Sequence, residues 1–289
     1  MLKDKIKDVY EIIRPSHAAW VVFDSPHSGR TYPKDFKHKL PSFKMRAAED
    51  SAVDDLFEDV PNKGGVMLRA LFPRTYVDLN RYETDITRQM LSDPQNWPLA
   101  FEPTQRSKWG HGVIRESLNH LQDHLYDERP STAEVMHRIE HYHRPYHAAL
   151  KMLIDEAHAM HGQVWHVNCH SMPSSCVGRQ SNTDICLGDD FGKACHRAEF
   201  TDIIKDWLNA KGYNVDINVP FSGYRLVQDY AAPAQGRHSL QIEINKAIYW
   251  NEEKDEPNAN YGQVKSDMAS LSDYIITTTG SRLMPIAAS

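Results

Sequence analysis

Short apolar runs that stop on polar, chemistry-bearing residues constrain this chain more than any other feature. "VVFDSPHSG" (21–29) ends on Asp24 and His27, and "YVDLNR" (76–81) carries Asp78, Asn80 and Arg81. "VWHVNCHSMP" (164–173) carries Asn168 and His170, and "SLQIEIN" (239–245) alternates Leu240, Ile242 and Ile244 with Gln241, Glu243 and Asn245. Runs of this length and composition read as strands, which predicts strands at 18–23, 65–71, 74–79, 163–168, 183–188 and 239–245. Helical periodicity lies between them. Val53, Leu56, Phe57 and Val60 follow Asp50 at helical spacing, and a long pattern runs from about Thr132 to Ala157, interrupted by Pro145 and stopped by Gly162. Phe191 to Ala210 predicts a further helix ending at Gly212, and Tyr261, Val264, Met268, Leu271 and Ile275 predict the last one. Ile6, Val9, Tyr10 and Ile13 predict a short amphipathic helix ended by Pro15.

Strands alternating with helices of this length imply an α/β fold with a mixed, mostly parallel sheet covered by helices on both faces. With no internal repeat or low-complexity linker, residues 1–289 read as a single domain. In open α/β sheets a ligand sits beyond the carboxyl ends of the strands. Polar residues that end strands are therefore the first candidates for function.

Each candidate also has a plain structural reading: a loop histidine, a capping Asn-Arg pair, a strand with one wet face. Together they bring two imidazoles, carboxylates and a guanidinium toward one sheet edge. That set is what a zinc hydrolase of an anionic substrate requires, because catalytic zinc takes three ligands from His and Asp/Glu and leaves a position for water. His27 and His170 supply two. For the third, "AAEDSAVDDLFEDV" (47–60) offers Glu49 and Asp50 on nearly the same helical arc, and geometry does not separate them. Asp50 could equally be a helix N-cap.

Composition narrows the partners. A net charge of −6 without a basic stripe argues against nucleic acid, and neither a membrane-spanning run nor a secretory leader is expected. Cys169, Cys176, Cys186 and Cys195 form no CxxC pair and read as reduced thiols of a cytoplasmic protein. Strand alternation turns Cys169 away from the face of His170. His143 and His147 are spaced like a zincin pair but lack its glutamate, so they are expected on the wet side of a helix. His111, in "GHGV", is expected in a flexible loop, with contact to substrate as the alternative. Arg179, Arg225 and Arg237 lie in loop-like stretches and could supply a further cation for an anionic substrate.

"SPHSGRTYP", "EDSAVDDLFED", "FPRTYVDLNR", "HYHRPYHAAL", "NCHSMP", "DICLGDDFG", "NVPFSGY" and "LQIEINKAIY" occur in this order from about residue 20 to 250. In this ordered set the chain resembles the N-formylglutamate amidohydrolases (N-formylglutamate deformylases). That family is similar in fold to zinc carboxypeptidases (phosphorylase/hydrolase-like) and to the aspartoacylase and succinylglutamate desuccinylase group. The resemblance implies one zinc ion held by His27, Asp50 and His170, with Asp50 the better match than Glu49. It implies Asn80 and Arg81 as a grip on the substrate carboxylate, and Glu243 as general base. The implied reaction releases formate and glutamate from N-formyl-L-glutamate in histidine breakdown. Other readings are a different N-acyl amino-acid amidohydrolase or carboxypeptidase-like zinc hydrolase, and a non-catalytic binder of an acidic metabolite. Three departures from the family pattern stand out: Asn168 where family members commonly have Asp, "SGY" (222–224) where the family pattern has Gly-Gly-Tyr, and "KWGHGVIRES" (108–117), which matches the family's central loop poorly.

Overall fold

The structure is a computed structural model, and it describes residues 2–17, 19–119, 122–178 and 182–283. Eight strands form one sheet: β1 (Leu2–Ile6), β2 (Tyr10–Arg14), β3 (Val21–Ser25), β4 (Val66–Ala70), β5 (Val164–Met172), β6 (Ile185–Gly188), β7 (Val215–Ile217) and β8 (Arg237–Asn245). Their spatial order is β1-β2-β4-β3-β5-β8-β6-β7. The central strands β4, β3, β5 and β8 are mutually parallel, β1, β2 and β6 join antiparallel to their inner neighbours, and β7 runs parallel to β6. The sheet is mixed with a parallel centre, as expected.

Helices cover both faces. On one side α1 (Thr132–Arg138) and α2 (Arg144–His161) bury Val135, Leu150, Leu153 and Ile154 against Val22, Leu68 and Ala70. On the other, α3 (Thr201–Ala210) and α4 (Tyr261–Gly280) bury Ile204, Leu208, Met268, Leu271 and Ile275 against Phe23, Val167, Leu240 and Ile242. A π turn at Ile139–His143 joins α1 to α2 just before Pro145, so the helical pattern is interrupted near the proline. Gly162 ends α2 at φ 71°, a left-handed position that glycine takes without penalty.

Four expectations are corrected. The N-terminal segment is a β-hairpin, with Leu2 opposite Arg14, Ile6 opposite Tyr10 and Asp8 at φ 63° in the turn. Ile12 and Ile13 enter opposite apolar clusters, so β2 needs apolar residues on both faces, and a helical spacing happened to fit the same positions. Residues 74–79 are turns rather than a strand: Tyr76 N donates to Pro73 O (3.0 Å), and Asp78 Oδ1 accepts from Asn80 N (2.9 Å), an aspartate-nucleated turn that competes with strand pairing. Val53, Leu56, Phe57 and Val60 are all buried, but on two single turns, Val53–Leu56 and Val60–Lys63, the second starting around Pro61. The helix predicted from Phe191 begins only at Thr201, because Phe191 and Gly192 adopt positive φ in a loop fastened to Asp189.

Candidate metal centre and substrate cleft

Strand register assembles the site. Along β5 and β8 the residues Trp165, Val167, Cys169, Leu240, Ile242 and Ile244 enter the apolar cluster under α4. The intervening residues face the other way, and the pairing sets Glu243 beside His170 and Asp24 beside Asn168. Cys169 is thus on the side away from His170, and all four cysteines are free. His27 follows the end of β3, and its carbonyl accepts the Asp50 amide (3.1 Å), which brings the 49–50 loop over the strand ends. Ala52, not Asp50, occupies the N-cap position of the next helical turn.

His27, Asp50 and His170 converge, all buried, with one candidate ligand atom from each lying within 4.8 Å of the others. The rest of each imidazole is committed elsewhere. His27 Nε2 is 3.0 Å from Asp78 Oδ1. Burial pushes the Asp78 carboxyl up, but the charges of Arg74 and His27 outweigh it and hold it well below the usual range. An ionised carboxylate only accepts, so Nε2 carries the proton and Nδ1 presents its lone pair inward. His170 Nε2 is 2.7 Å from Asn168 Oδ1, whose amide is oriented because Asn168 Nδ2 donates to Asp24 Oδ1 (2.7 Å). His170 Nδ1 therefore also faces inward, 2.7 Å from Asp50 Oδ2.

That geometry tests the fit of a cation. In neutral rings, His170 Nδ1 and Asp50 Oδ2 are both acceptors at hydrogen-bonding distance, which requires a positive charge between them. His27 Nδ1 is buried without a hydrogen-bond partner, 3.6 Å from the same carboxylate oxygen. Two imidazoles and a carboxylate with lone pairs converging suit zinc. Burial pushes the Asp50 carboxyl up, but the neighbouring His170 and His27 outweigh it and hold it well below the usual range. Glu49 points elsewhere. Its carboxyl accepts from Tyr32 and lies 3.7 Å from Arg30, and burial raises it to about 7 despite the tyrosine.

The centre opens into a cleft of about 740 Å³ lined by Glu243, Asn80, Arg81, Arg106, His111 and Arg115, among others. Glu243 is buried beside His170 and accepts from Gln241 Nε2 (3.0 Å). Burial raises its carboxyl to about 7, opposed by His170 and reinforced by Asp50. Asn80 Oδ1 accepts from Leu226 N (3.0 Å), and Arg81 stacks on Tyr224, 4.8 Å from the ring centre. His27, Asp50, His170, Asn80, Arg81 and Glu243 therefore border one cavity.

Other sequence expectations move. Arg225 donates to the carbonyl of Arg81 (2.5 Å) and lies against His143 behind the cleft wall, and Arg237 pairs with Asp155 (2.7 Å). Both line a separate surface pocket, while Arg179 lies outside the described residues. His143 and His147 are buried rather than wet: His143 Nε2 lies 3.0 Å from Arg81 O, and His147 Nε2 lies 2.8 Å from Leu79 O. They brace the Asn80–Arg81 segment from below. His111 lines the cleft and forms a bridge with Arg115. Sequence reasoning missed the cations nearest the centre. Arg74 donates to Asp78 Oδ2 (2.8 Å) and approaches Asp50 (3.4 Å); Arg106 and Arg115 line the wall. Among them only Arg115 carried a sequence signal, an arginine directly after the apolar Val113-Ile114 in "GVIRES".

No helix among the described residues is long and apolar enough to cross a membrane. The family described as N-formylglutamate amidohydrolase matches residues 19–250. A crystal structure of N-formylglutamate amidohydrolase from Ralstonia eutropha JMP134 superposes with a TM-score of 0.91 at 35% identity, covering 96% of this chain and all (100%) of that one. An N-formylglutamate deformylase of Pseudomonas putida is 24% identical over 206 residues, 70% of this chain and 71% of its own length. A gene product of Agrobacterium tumefaciens shares the fold, with a TM-score of 0.64 at 17% identity over 95% of this chain and 96% of that one. By the extent of the family match and by the identity and coverage of the Ralstonia protein, this chain belongs to the N-formylglutamate amidohydrolase family.

Proposed function

We propose that this protein is a zinc-dependent amidohydrolase that cleaves the formyl group from N-formyl-L-glutamate, a step in histidine breakdown, in the cytoplasm. The observation that carries the reading is the pair of imidazoles whose Nε2 atoms are anchored, to Asp78 and Asn168, while both Nδ1 atoms converge on Asp50 beside Glu243. His27, Asp50 and His170 would hold the ion. When bound, zinc supplies a Lewis acid and lowers the pKa of a water to near neutrality.

The chain's own residues do the rest. Glu243, poised near neutrality, takes a proton on its carboxylate from the attacking water and returns it to the departing nitrogen. Arg81 offers the planar fork that matches a substrate carboxylate, and Asn80, held through Leu226 N, fixes the turn that presents it. Arg74, buried between Asp78 and Asp50, adds positive charge where negative charge develops on the carbonyl oxygen. Formate and glutamate leave.

The test combines metal analysis with formate release. One zinc per chain and formate release from N-formylglutamate are expected, exceeding release of acid from the N-acetyl and N-succinyl analogues. Glu243→Ala should keep its zinc and lose 10²–10⁴-fold in kcat, on the order of what general-base catalysis contributes. Hydrolysis by Glu243→Ala at a near-normal rate would remove Glu243 from the role of base.

A further inference from the structure

The family activity, taken as read above, leaves open how a substrate with two carboxylates is told from one with a single carboxylate. The cleft arginines differ sharply in what already neutralises them. Arg74 is bound to Asp78 and Asp50. Arg81 lies 3.8 Å from Asp85 and stacks on Tyr224. Arg106 is exposed at the rim, 5.7 Å from the Phe221 ring centre. Arg115 is the exception: it is only 8% exposed, and among the described residues no carboxylate lies within ion-pairing distance of it. Its Nε is buried without a hydrogen-bond partner.

The chain holds it there deliberately. Asp78 N donates to Val113 O (2.8 Å) and Val113 N donates to Asp85 O (2.9 Å), which straps the 107–116 loop to both sides of Asn80 and Arg81. A side chain on Gly112 would meet Asp85 O at 2.5 Å, so the close approach needs glycine there. Val113 and Ile114 are buried, and Arg115 follows them into the cleft wall beside Arg81. A guanidinium buried without a counter-ion has lost its hydration and gained no pairing in return. Burial lowers the Arg115 pKa to about 9, with Arg74 and Arg81 repelling it further against Asp78 and Asp50. An incoming anion supplies the pairing.

We propose that Arg115 seats the side-chain carboxylate of the substrate, while Arg81 holds the other, so that Arg115 selects N-acyl derivatives of dicarboxylic amino acids over neutral ones. The inference rests on the deformylase reading for its substrate but not for its anion site. A site built to pair a charged group rejects an analogue lacking it strongly, because its own polar atoms stay unpaired.

The experiment has two arms. In the first, kcat/KM is measured for N-formylglutamate and N-formylglutamine in the zinc-loaded wild type, Arg115→Gln and Arg115→Lys. The glutamate-to-glutamine ratio should fall about 100-fold in Arg115→Gln and partly recover in Arg115→Lys; an unchanged ratio overturns the proposal. In the second, calorimetry compares glutarate and butyrate on the same proteins. Wild type should bind glutarate at least about 30-fold more tightly, and Arg115→Gln should lose that margin. If no formyl compound is hydrolysed, the deformylase reading falls while the glutarate margin still decides Arg115. If neither variant folds, wild type alone decides: a glutarate margin supports the seat, and equal binding of the two acids overturns it.

Discussion

Two buried aspartates on this sheet make opposite use of the same burial. Asp189, just after β6, accepts from Gly192 N (2.8 Å), Arg197 Nε and Nη2 (2.8 and 2.7 Å), Thr201 Oγ1 (3.1 Å) and Asn218 Nδ2 (2.7 Å). Every lone pair has a donor, so the carboxylate is a knot that ties a loop, a helix start and the stretch after β7 together. Asp50 has two imidazoles and the Arg74 guanidinium at 3.4 Å, and neutral imidazoles anchored through Nε2 face it with lone pairs rather than protons. A satisfied carboxylate is architecture. An unsatisfied one beside other unsatisfied acceptors waits for a cation, and the difference is visible in hydrogen-bond accounting alone.

Removing Asp50 should break the comparison most severely. Asp50→Ala deletes one of three ligand side chains and should lower zinc content to below a tenth per chain, with kcat/KM down by more than about 10³-fold. The thermal unfolding midpoint without metal should also fall somewhat at neutral pH, since the imidazoles that hold the Asp50 carboxyl low make its charged form favour the folded state. Full zinc occupancy in that variant, by elemental analysis, would mean that Asp50 is not a ligand.

Why the sequence revealed one aspartate and not the other follows from the same contrast. His27, His170 and Glu243 sit where apolar runs stop, and strand period plus the strand-end rule brings such residues together. Asp189 is tied by Arg197 and Asn218, partners that share no pattern with it. Arg115 was hidden for a related reason: its place depends on backbone hydrogen bonds between a loop and residues 78 and 85, which no periodicity records. The N-terminal hairpin and the 74–79 turns were misread because apolar spacing reports burial well and backbone conformation less well. Tyr76, Val77 and Leu79 are buried all the same.

Asp189→Ala tests the architectural half. It leaves the Asn218 amide and the Thr201 hydroxyl without their acceptor and frees Arg197, so unfolding free energy should fall by about 3 kcal/mol. Zinc content per folded chain should stay intact. The carboxyl of Asp189 is held below its usual range, since its hydrogen bonds from Arg197 and Asn218 outweigh burial. A depressed folded value means the unfolded state takes up protons first as pH falls. The wild type's advantage over Asp189→Ala is therefore present at neutrality and shrinks below about pH 4. Denaturant titrations at pH 7 and pH 3.5 measure it, and a constant difference would contradict the role.

Asn168 is the joint between the two kinds of site, and it carries the smallest predicted effect. One end of its amide accepts from His170, the other donates to Asp24, which also accepts from His166 Nε2 (2.9 Å) and Tyr146 Oη (2.9 Å). Burial pushes the Asp24 carboxyl up, but His166 and Asn168 outweigh it and keep it low. The amide suits this position because one end accepts from an imidazole while the other donates to a carboxylate. Asn168→Asp would place a second carboxylate against Asp24, and two such groups cannot both ionise cheaply. One of them should keep its proton in the folded state to higher pH than in the unfolded state. The folded state then binds more protons, so the variant's deficit, about 1–2 kcal/mol at pH 8, should shrink toward pH 5. Urea unfolding of metal-free protein at the two pH values gives the answer. A deficit that grows on acidification would show that Asn168 is not kept for Asp24, and that the amide's reason lies on the His170 side.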